Sequence, residues 1–297
     1  MNKIIDLHIH TNISDGALSP KEVIDEAYKN NVSIISIADH DTIDEYTEEI
    51  FEYAKKRNIE IIVGVEISAK TKRSGVHILG YNFDLNNKKL KESLYKLKNS
   101  RHTYLYKVSK RLNELGYIVN IEMLDKIDVV TKAHISNDII SNKKNEKLLL
   151  KEFNMIPTKG DFIERLMNEG CIAYVEKDSL SPKEAAEIIR EAGGKAVLAH
   201  PVAYEYEDGL NEKDILEIIN DMNADGIESN YIYIDQNNIK VDESDKWNQF
   251  ANKYNLITTV GSDFHKKDGI HKDIGLIGDL TLSDEEICKI IRNLKKK

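Results

Sequence analysis

The sequence predicts an α/β fold built on a parallel sheet, open or closed into a barrel. Three observations support this. Short apolar, β-branched runs recur along the 297 residues. Amphipathic patterns of helical period separate most of them. Polar knots rich in histidine and acid follow the runs. Strand-then-helix repetition at this spacing favours parallel strands joined by helical crossovers.

The first strand is expected at residues 3–7. A helix at 20–30 opens after Ser19, with Pro20 at its first position. The second strand is expected at 33–38. Thr42-Ile43-Asp44-Glu45 then reads as a capping box opening a helix at 44–56. Strands three and four are expected at 60–65 and 76–81. There the rhythm breaks. From 86 to 177 the chain reads mainly as helix, with a long pattern at 88–115 and shorter ones at 135–141, 146–153 and 161–169. This stretch is expected to be a helical insertion after the fourth strand, dividing the main domain into 1–85 and 178–297. A separately folding domain is the alternative. A helix at 182–192 follows Ser181 and ends at Gly193-Gly194, a C-terminal stop signal. Strands at 196–199, 226–228 and 257–260, with helices at 247–254 and 284–294, complete the pattern.

Composition narrows the function classes. Hydrophobic residues are 41% and charged residues 31%, ample for a globular core. The net charge of −9 argues against a protein that coats duplex nucleic acid. A nucleotide substrate stays open, because bound cations would make a site locally positive. Cys171 and Cys288 stand in unrelated contexts, so neither a disulfide framework nor a cysteine zinc site is expected. The N-terminus is charged too early for a secretory signal, and no apolar run is long enough for a membrane span. A cytoplasmic location is therefore expected.

The nine histidines carry the functional signal. Six fall in short knots: Asp6-Leu7-His8-Ile9-His10, Ala38-Asp39-His40-Asp41, Glu66 with His77, Ala199-His200-Pro201, and Gly261-Ser262-Asp263-Phe264-His265. All except His77 fall at the expected carboxyl ends of strands, where α/β sheets and barrels build their sites. Side chains two apart on a strand share a face, so His8 and His10 can reach one ion, as can Asp263 and His265. Asp15, in a polar turn, can return a carboxylate over the same rim. Singly, each knot has an ordinary structural explanation; together they read as a polynuclear metal site. Imidazole with carboxylate suits Zn, Mn and Fe(II). Asp39 and Glu228 are expected to orient imidazoles rather than bind metal. His102 and His271 read as solvated histidines.

These five motifs, in this order and across nearly the whole chain, resemble the PHP (polymerase and histidinol phosphatase) family. The helical insertion, Glu169-Gly170-Cys171-Ile172-Ala173-Tyr174-Val175 and Gly193-Gly194-Lys195-Ala196-Val197-Leu198-Ala199-His200-Pro201 are similar to its branch of nucleoside-3′,5′-bisphosphate phosphatases and 5′-to-3′ exoribonucleases. The resemblance implies a distorted (β/α)7 TIM-like barrel with two to three divalent ions, Mn, Fe or Zn. It implies that His8, His10, Glu66 and Asp263 hold one ion and that Asp15, His40 and His265 hold a second. Glu66 would bridge to a third, completed by His77 and His200. It also implies hydrolysis of phosphate esters of a nucleotide, a nucleoside 3′,5′-bisphosphate or a short oligoribonucleotide by a metal-activated hydroxide.

Arg101, Lys132 and His134 of the insertion would contact the substrate, His134 as proton donor to the leaving oxygen or as an ordinary helix-start histidine. The chain departs from that branch where arginines are usual: Tyr104, Lys132 and Asn137 stand there. A lysine is a flexible point charge, not a bidentate fork. Three rival readings are a histidinol-phosphate phosphatase, a non-catalytic metal-binding accessory module, and an amidohydrolase. The last wants a bridging lysine that no knot supplies.

Overall fold

Each polar knot is placed by a short buried strand. The computed structural model describes residues 4–127, 129–176, 179–235, 237–270, 273–276 and 282–295; His271 lies outside them. The chain runs β1 (Ile5–Ile9), α1 (Pro20–Lys29), β2 (Ile34–Ile37), α2 (Glu48–Lys55), β3 (Glu60–Ile61), β4 (Gly64–Lys70) and β5 (Gly75–Tyr81). Helices α3 (Lys88–Glu114), α4 (Ile121–Leu124), α5 (Lys132–Ser141), α6 (Glu146–Phe153) and α7 (Lys159–Phe162) follow. Then come α8 (Pro182–Glu191), β6 (Lys195–Leu198), α9 (Pro201–Asp208), α10 (Glu212–Met222) and β7 (Gly226–Asn230). The chain ends with β8 (Ile232–Ile234), β9 (Lys240–Asp242), α11 (Ser244–Lys253), β10 (Ile257–Val260) and α12 (Asp284–Lys295).

The strands form a three-stranded sheet, β1-β2-β3, a five-stranded sheet, β10-β7-β6-β5-β4, and a separate two-stranded hairpin, β8-β9. Two single bridges connect the first two, Ile9 to Phe264 and His40 to Glu66. The distorted (β/α)7 barrel is therefore corrected: among the described residues there is an α/β arrangement of two main sheets and a hairpin, with no closed barrel ladder. The all-parallel expectation is corrected as well. β4 and β5 pair antiparallel through residues 71–74, and β5 pairs antiparallel with β6. A turn this short has no room for the crossover that parallel pairing requires. The run expected at 60–65 is divided between β3 and β4, so the helical region follows the fifth strand, not the fourth.

β1 and β2 are buried along their whole length. Burial on both faces explains why they read as continuous apolar runs without alternation. Ile5, Leu7, Leu79, Val197 and Val260 share one core cluster with Ile287, Ile290 and Leu294 of α12. A second cluster joins Ile9, Ile35 and Ile37 to Val23, Ile24 and Ala27 of α1. The helix starts are set locally. Ser19 with Glu22, and Ser181 with Glu184, form complete capping boxes at α1 and α8. At α2 the cap is Thr47, not Thr42, so the helix begins later than expected. The helices α9 and α10 and the β8–β9 hairpin were not expected from sequence. Pro201 at the first position of α9 was the available signal.

The chain divides into two compact units, Met1–Leu94 with Ser179–Lys297, and Tyr95–Asp178. The second unit has its own core, including Leu105, Val108, Leu112, Ile135, Ile139, Leu149 and Phe162. Tyr104 is part of it, which accounts for an aromatic residue at a position where arginine was anticipated. The helix expected at 161–169 is α7 followed by a π-turn at Ile163–Met167.

One buried acid stands out in the turn before α2. Glu45 is 1% exposed, and among the described residues no other residue hydrogen-bonds either carboxylate oxygen. Burial first, then the Asp39 carboxylate, push its carboxyl well above the usual range. Folding thus favours the neutral acid. Its contribution to stability is complete below the ordinary glutamate pKa and is lost as pH rises towards the folded value. Glu45→Gln is expected to raise stability near pH 8, where the neutral amide escapes the cost of taking up a proton on folding. Near pH 4 the effect should be small. Equal thermal shifts at both pH values would contradict this.

Candidate metal centre

β1 carries His8 and delivers His10 at its end. The β1–β2 ladder slips between Asp6 and Ile9, where His8 lies. A matching slip occurs between Thr259 and Val260 of β10, just before Asp263. Such bulges re-aim side chains at strand ends. His200 has φ 23° and Asp263 has φ 53°, both on the left-handed side. Strained backbone of this kind gathers at functional sites. Glycine is required at 261, because a Cβ there would collide with His8 and Glu228.

His77, which did not fit the rim by sequence, is explained by direction. β5 runs antiparallel to β4, with His77 opposite Ser68 and Leu79 opposite Glu66. The start of β5 therefore meets the rim where parallel strands end. Glu66 also differs from expectation: it lies within β4, not at the end of a third strand.

The expected ligands converge. Glu66 is 1% exposed and approaches five imidazoles: His8 Nε2 at 3.4 Å, His10 Nε2 at 3.3 Å, His40 Nδ1 at 3.0 Å, His77 Nδ1 at 3.0 Å and His200 Nε2 at 3.1 Å. Asp263 Oδ1 lies 3.5 Å from His8 Nε2 and 3.1 Å from His10 Nε2. Asp15 reaches His265 Nε2 at 3.4 Å and His40 Nε2 at 3.7 Å. Among the described residues three groups could hold an ion: His10, Asp15, His40 and His265; His8, His10 and Glu66; and His40, Glu66 and His77. His40 faces two groups, one through each ring nitrogen.

The donor chemistry fits divalent cations. His8 Nε2 and His10 Nε2 point at each other across 3.1 Å, and His77 Nδ1 faces His200 Nε2 at 3.3 Å. Opposed imidazole nitrogens satisfy each other only if one donates a proton; a cation satisfies both lone pairs. His40 Nδ1 is close to Glu66 but out of hydrogen-bonding line, and among the described residues it is buried without a hydrogen-bond partner, as are His10 Nδ1 and His200 Nδ1. Nitrogen and oxygen donors with no thiolate suit Zn, Mn or Fe.

Without a cation, protons perform the neutralisation. Burial would raise the Glu66 carboxyl, but His77, His40 and His8 hold it well below the usual range. Burial is likewise overcome at Asp15, chiefly by His40 and His265, and at Asp263, chiefly by His8 and His265. Burial would lower His10, yet hydrogen bonds to Asp263 and Glu66 raise it to about 10.

Acids beside these side chains fix the segments that bear them. Glu228 receives His8 Nδ1 at 3.1 Å and the His200 amide at 2.9 Å. Asp39 accepts from the Thr11 amide at 2.7 Å and from the Ser14 hydroxyl, tying down the loop that carries Asp15. Two supports had no functional assignment from sequence. Asp6 accepts from the Ser262 and Gly275 amides, anchoring the 261–265 knot to β1. The Tyr204 hydroxyl accepts from the His77 amide at 2.7 Å; it sits on α9, the unanticipated helix.

In the helical unit, Arg101 is 5% exposed and donates to the Val130 carbonyl. Lys132 Nζ donates to Asn168 Oδ1 at 3.0 Å. Asn137 is exposed. His134 Nδ1 accepts from the Thr131 amide and closes a capping box at α5. His102, expected to be solvated, pairs with Asp125 at 2.9 Å.

The PHP domain family matches residues 6–194. The chain is 31% identical over 270 residues to a 5′-3′ exoribonuclease of Haemophilus influenzae, covering 89% of this chain and 91% of that protein. It is 28% identical over 280 residues to a 3′,5′-nucleoside bisphosphate phosphatase of Chromobacterium violaceum, covering 93% and 92%. A structure assigned as a metal-dependent phosphoesterase from Bifidobacterium adolescentis matches with a TM-score of 0.75 at 21% identity, over 98% of this chain and 96% of that one. This last likeness concerns the fold alone. The chain belongs to the PHP domain family. No helix among its described residues is long and apolar enough to cross a membrane.

Glu228→Gln removes the charge that orients His8 while preserving shape. Metal affinity is expected to fall about 10–100-fold, the usual cost of losing such an outer partner. Competition titration against a chromophoric chelator measures this, and unchanged affinity would contradict the positioning role.

Proposed function

We propose that this member of the PHP family, a metal-dependent phosphoesterase, hydrolyses phosphate esters of a nucleotide, a nucleoside 3′,5′-bisphosphate or a short oligoribonucleotide. The observation that carries the reading is Glu66, buried among five imidazoles with Asp15 and Asp263 beside them. The proposed ligands are His8, His10, Asp15, His40, Glu66, His77, His200, Asp263 and His265, for two to three ions of Mn, Fe or Zn. Divalent ions bound there supply Lewis-acid charge to a phosphoryl group and activate water near neutral pH. The uncatalysed reaction is slow enough to need such charge.

The chain's own groups divide the remaining tasks. Glu228 and Asp39 keep imidazoles and the Asp15 loop in place. The Tyr231 hydroxyl, 3.4 Å from Asp263 Oδ2, can donate at the rim. The helical unit is proposed to contribute Arg101 and Lys132 for phosphoryl oxygens and His134 as proton donor to the leaving oxygen. That assignment is supported by their sequence positions in the insertion. For His134 there is a further support: its Nδ1 accepts from an amide, which puts the proton of the neutral ring on Nε2. The nucleotide class is supported by the two similar proteins named above.

Elemental analysis followed by a panel of 5′-mononucleotides, 3′,5′-bisphosphates, short RNA and histidinol phosphate tests the reading. Turnover of a nucleotide or RNA, lost with chelation and restored by divalent ions, is expected. Preference for histidinol phosphate, or metal loading without any turnover, would overturn it. His8→Ala should lose metal and activity together. His134→Ala should keep its metal and lose about 10²–10⁴ in rate; full activity in that variant would remove the proton-donor role.

A further inference from the structure

We propose that the exposed face of α3 between Tyr95 and Arg111 is a track for single-stranded RNA. The inference deepens the phosphoester reading and rests on it for the choice of polynucleotide among polyanions. The first observation is charge. α3 holds nine Lys or Arg and two Glu in a chain whose net charge is −9. The unit Tyr95–Asp178 carries +3 and the rest of the chain −12. Lys96, Lys107, Lys110 and Arg111 are all exposed, and among the described residues none has an acidic partner. An ordinary solvated helix pairs opposite charges three or four residues apart. Here Lys107, Lys110 and Arg111 set like charges at that spacing, and Glu114, the one acid of this stretch of α3, balances only one of the three cations. Phosphates would offset the rest.

The second observation is aromatic. Tyr95 is 66% exposed and Tyr106 50% exposed. With Asn99, Thr103 and Lys110 they follow the helical repeat along one stripe, and Asn99 and Thr103 are exposed too. The two rings stand three turns, about 16 Å, apart. Asp125 takes the Tyr106 hydroxyl at 2.7 Å and so fixes the direction of that ring. Stacking rings beside a row of cations are what single strands need, since unpaired bases offer their faces. A duplex would offer no bases to the rings. A membrane surface fits poorly, because the apolar face of α3 is already buried: Leu97, Leu105, Val108 and Leu112 are each at or below 5% exposure.

The test is fluorescence anisotropy on the full-length, metal-loaded chain, using a phosphorothioate-linked single-stranded RNA of about twelve nucleotides that resists cleavage. Four phosphate contacts at a slope of about −0.7 each predict a loss in affinity of about fifty-fold between 50 and 200 mM salt. Lys96→Ala, Lys107→Ala, Lys110→Ala and Arg111→Ala combined should bind at least about ten-fold more weakly at low salt and lose most of that dependence. Tyr95→Ala with Tyr106→Ala should weaken binding about five-fold or more per ring while keeping the salt slope. Unchanged binding by the four-fold variant would overturn the proposal. So would equal affinity for the corresponding duplex, or binding confined to phosphatidylserine vesicles. Turnover of a nucleoside 3′,5′-bisphosphate by the four-fold variant should match wild type. Wild-type protein that binds RNA through this face yet hydrolyses no phosphoester would sink the proposed function and support the track.

Discussion

A carboxylate buried among imidazoles has to be neutralised, and Glu66 sets that requirement for the rest of the centre. Removing an ion from water costs several kcal/mol unless opposite charge surrounds it. Around Glu66 that charge comes from histidine, supplied by β1, the segment after β2, β5 and the segment after β6. Protons on His8, His10 and His200 can meet the demand, and so can divalent cations. Cations meet it better, because they also satisfy ring nitrogens that otherwise face each other or face nothing.

Much of the scaffold serves to bring donors distant in sequence to that carboxylate. Bulges aim His8 and Asp263, and a strained backbone turns His200 inward. Asp6, Asp39 and Glu228 direct their hydrogen bonds to the segments that carry the clustered histidines and acids. A buried acid used this way is a rigid strut, since its acceptors are all matched to amides, hydroxyls or imidazoles in fixed places. Glu45 is the contrast: buried close by, with no such match.

The convergence of these side chains was legible in the sequence because histidine and acid at strand ends are conspicuous and their spacing on a strand is fixed by the pleat. Strand direction was not legible. Nothing in the composition of residues 76–81 distinguishes a parallel strand from the second arm of a hairpin, and this is why His77 looked misplaced. The start of α2 was misjudged because two threonines, Thr42 and Thr47, precede acidic residues, and only packing of Ile50 and Ala54 selects the second. α10 does carry a helical signal in the sequence, with Ile215, Ile218, Ile219 and Met222 at helical spacing behind an Asn211–Asp214 capping box, whereas α9 offers only its first-turn Pro201. The helical unit was legible as helix, but Tyr104 reads as a missing arginine until its burial in that unit's core is known.

Anomalous diffraction at the Mn, Fe and Zn absorption edges, on crystals of protein grown with those metals, tests the centre most directly. The account predicts at least two peaks, each bounded by histidines and carboxylates of the set around Glu66, with that carboxylate within bonding distance of more than one. Peaks at other sites only, or none in protein shown to be folded, would contradict it.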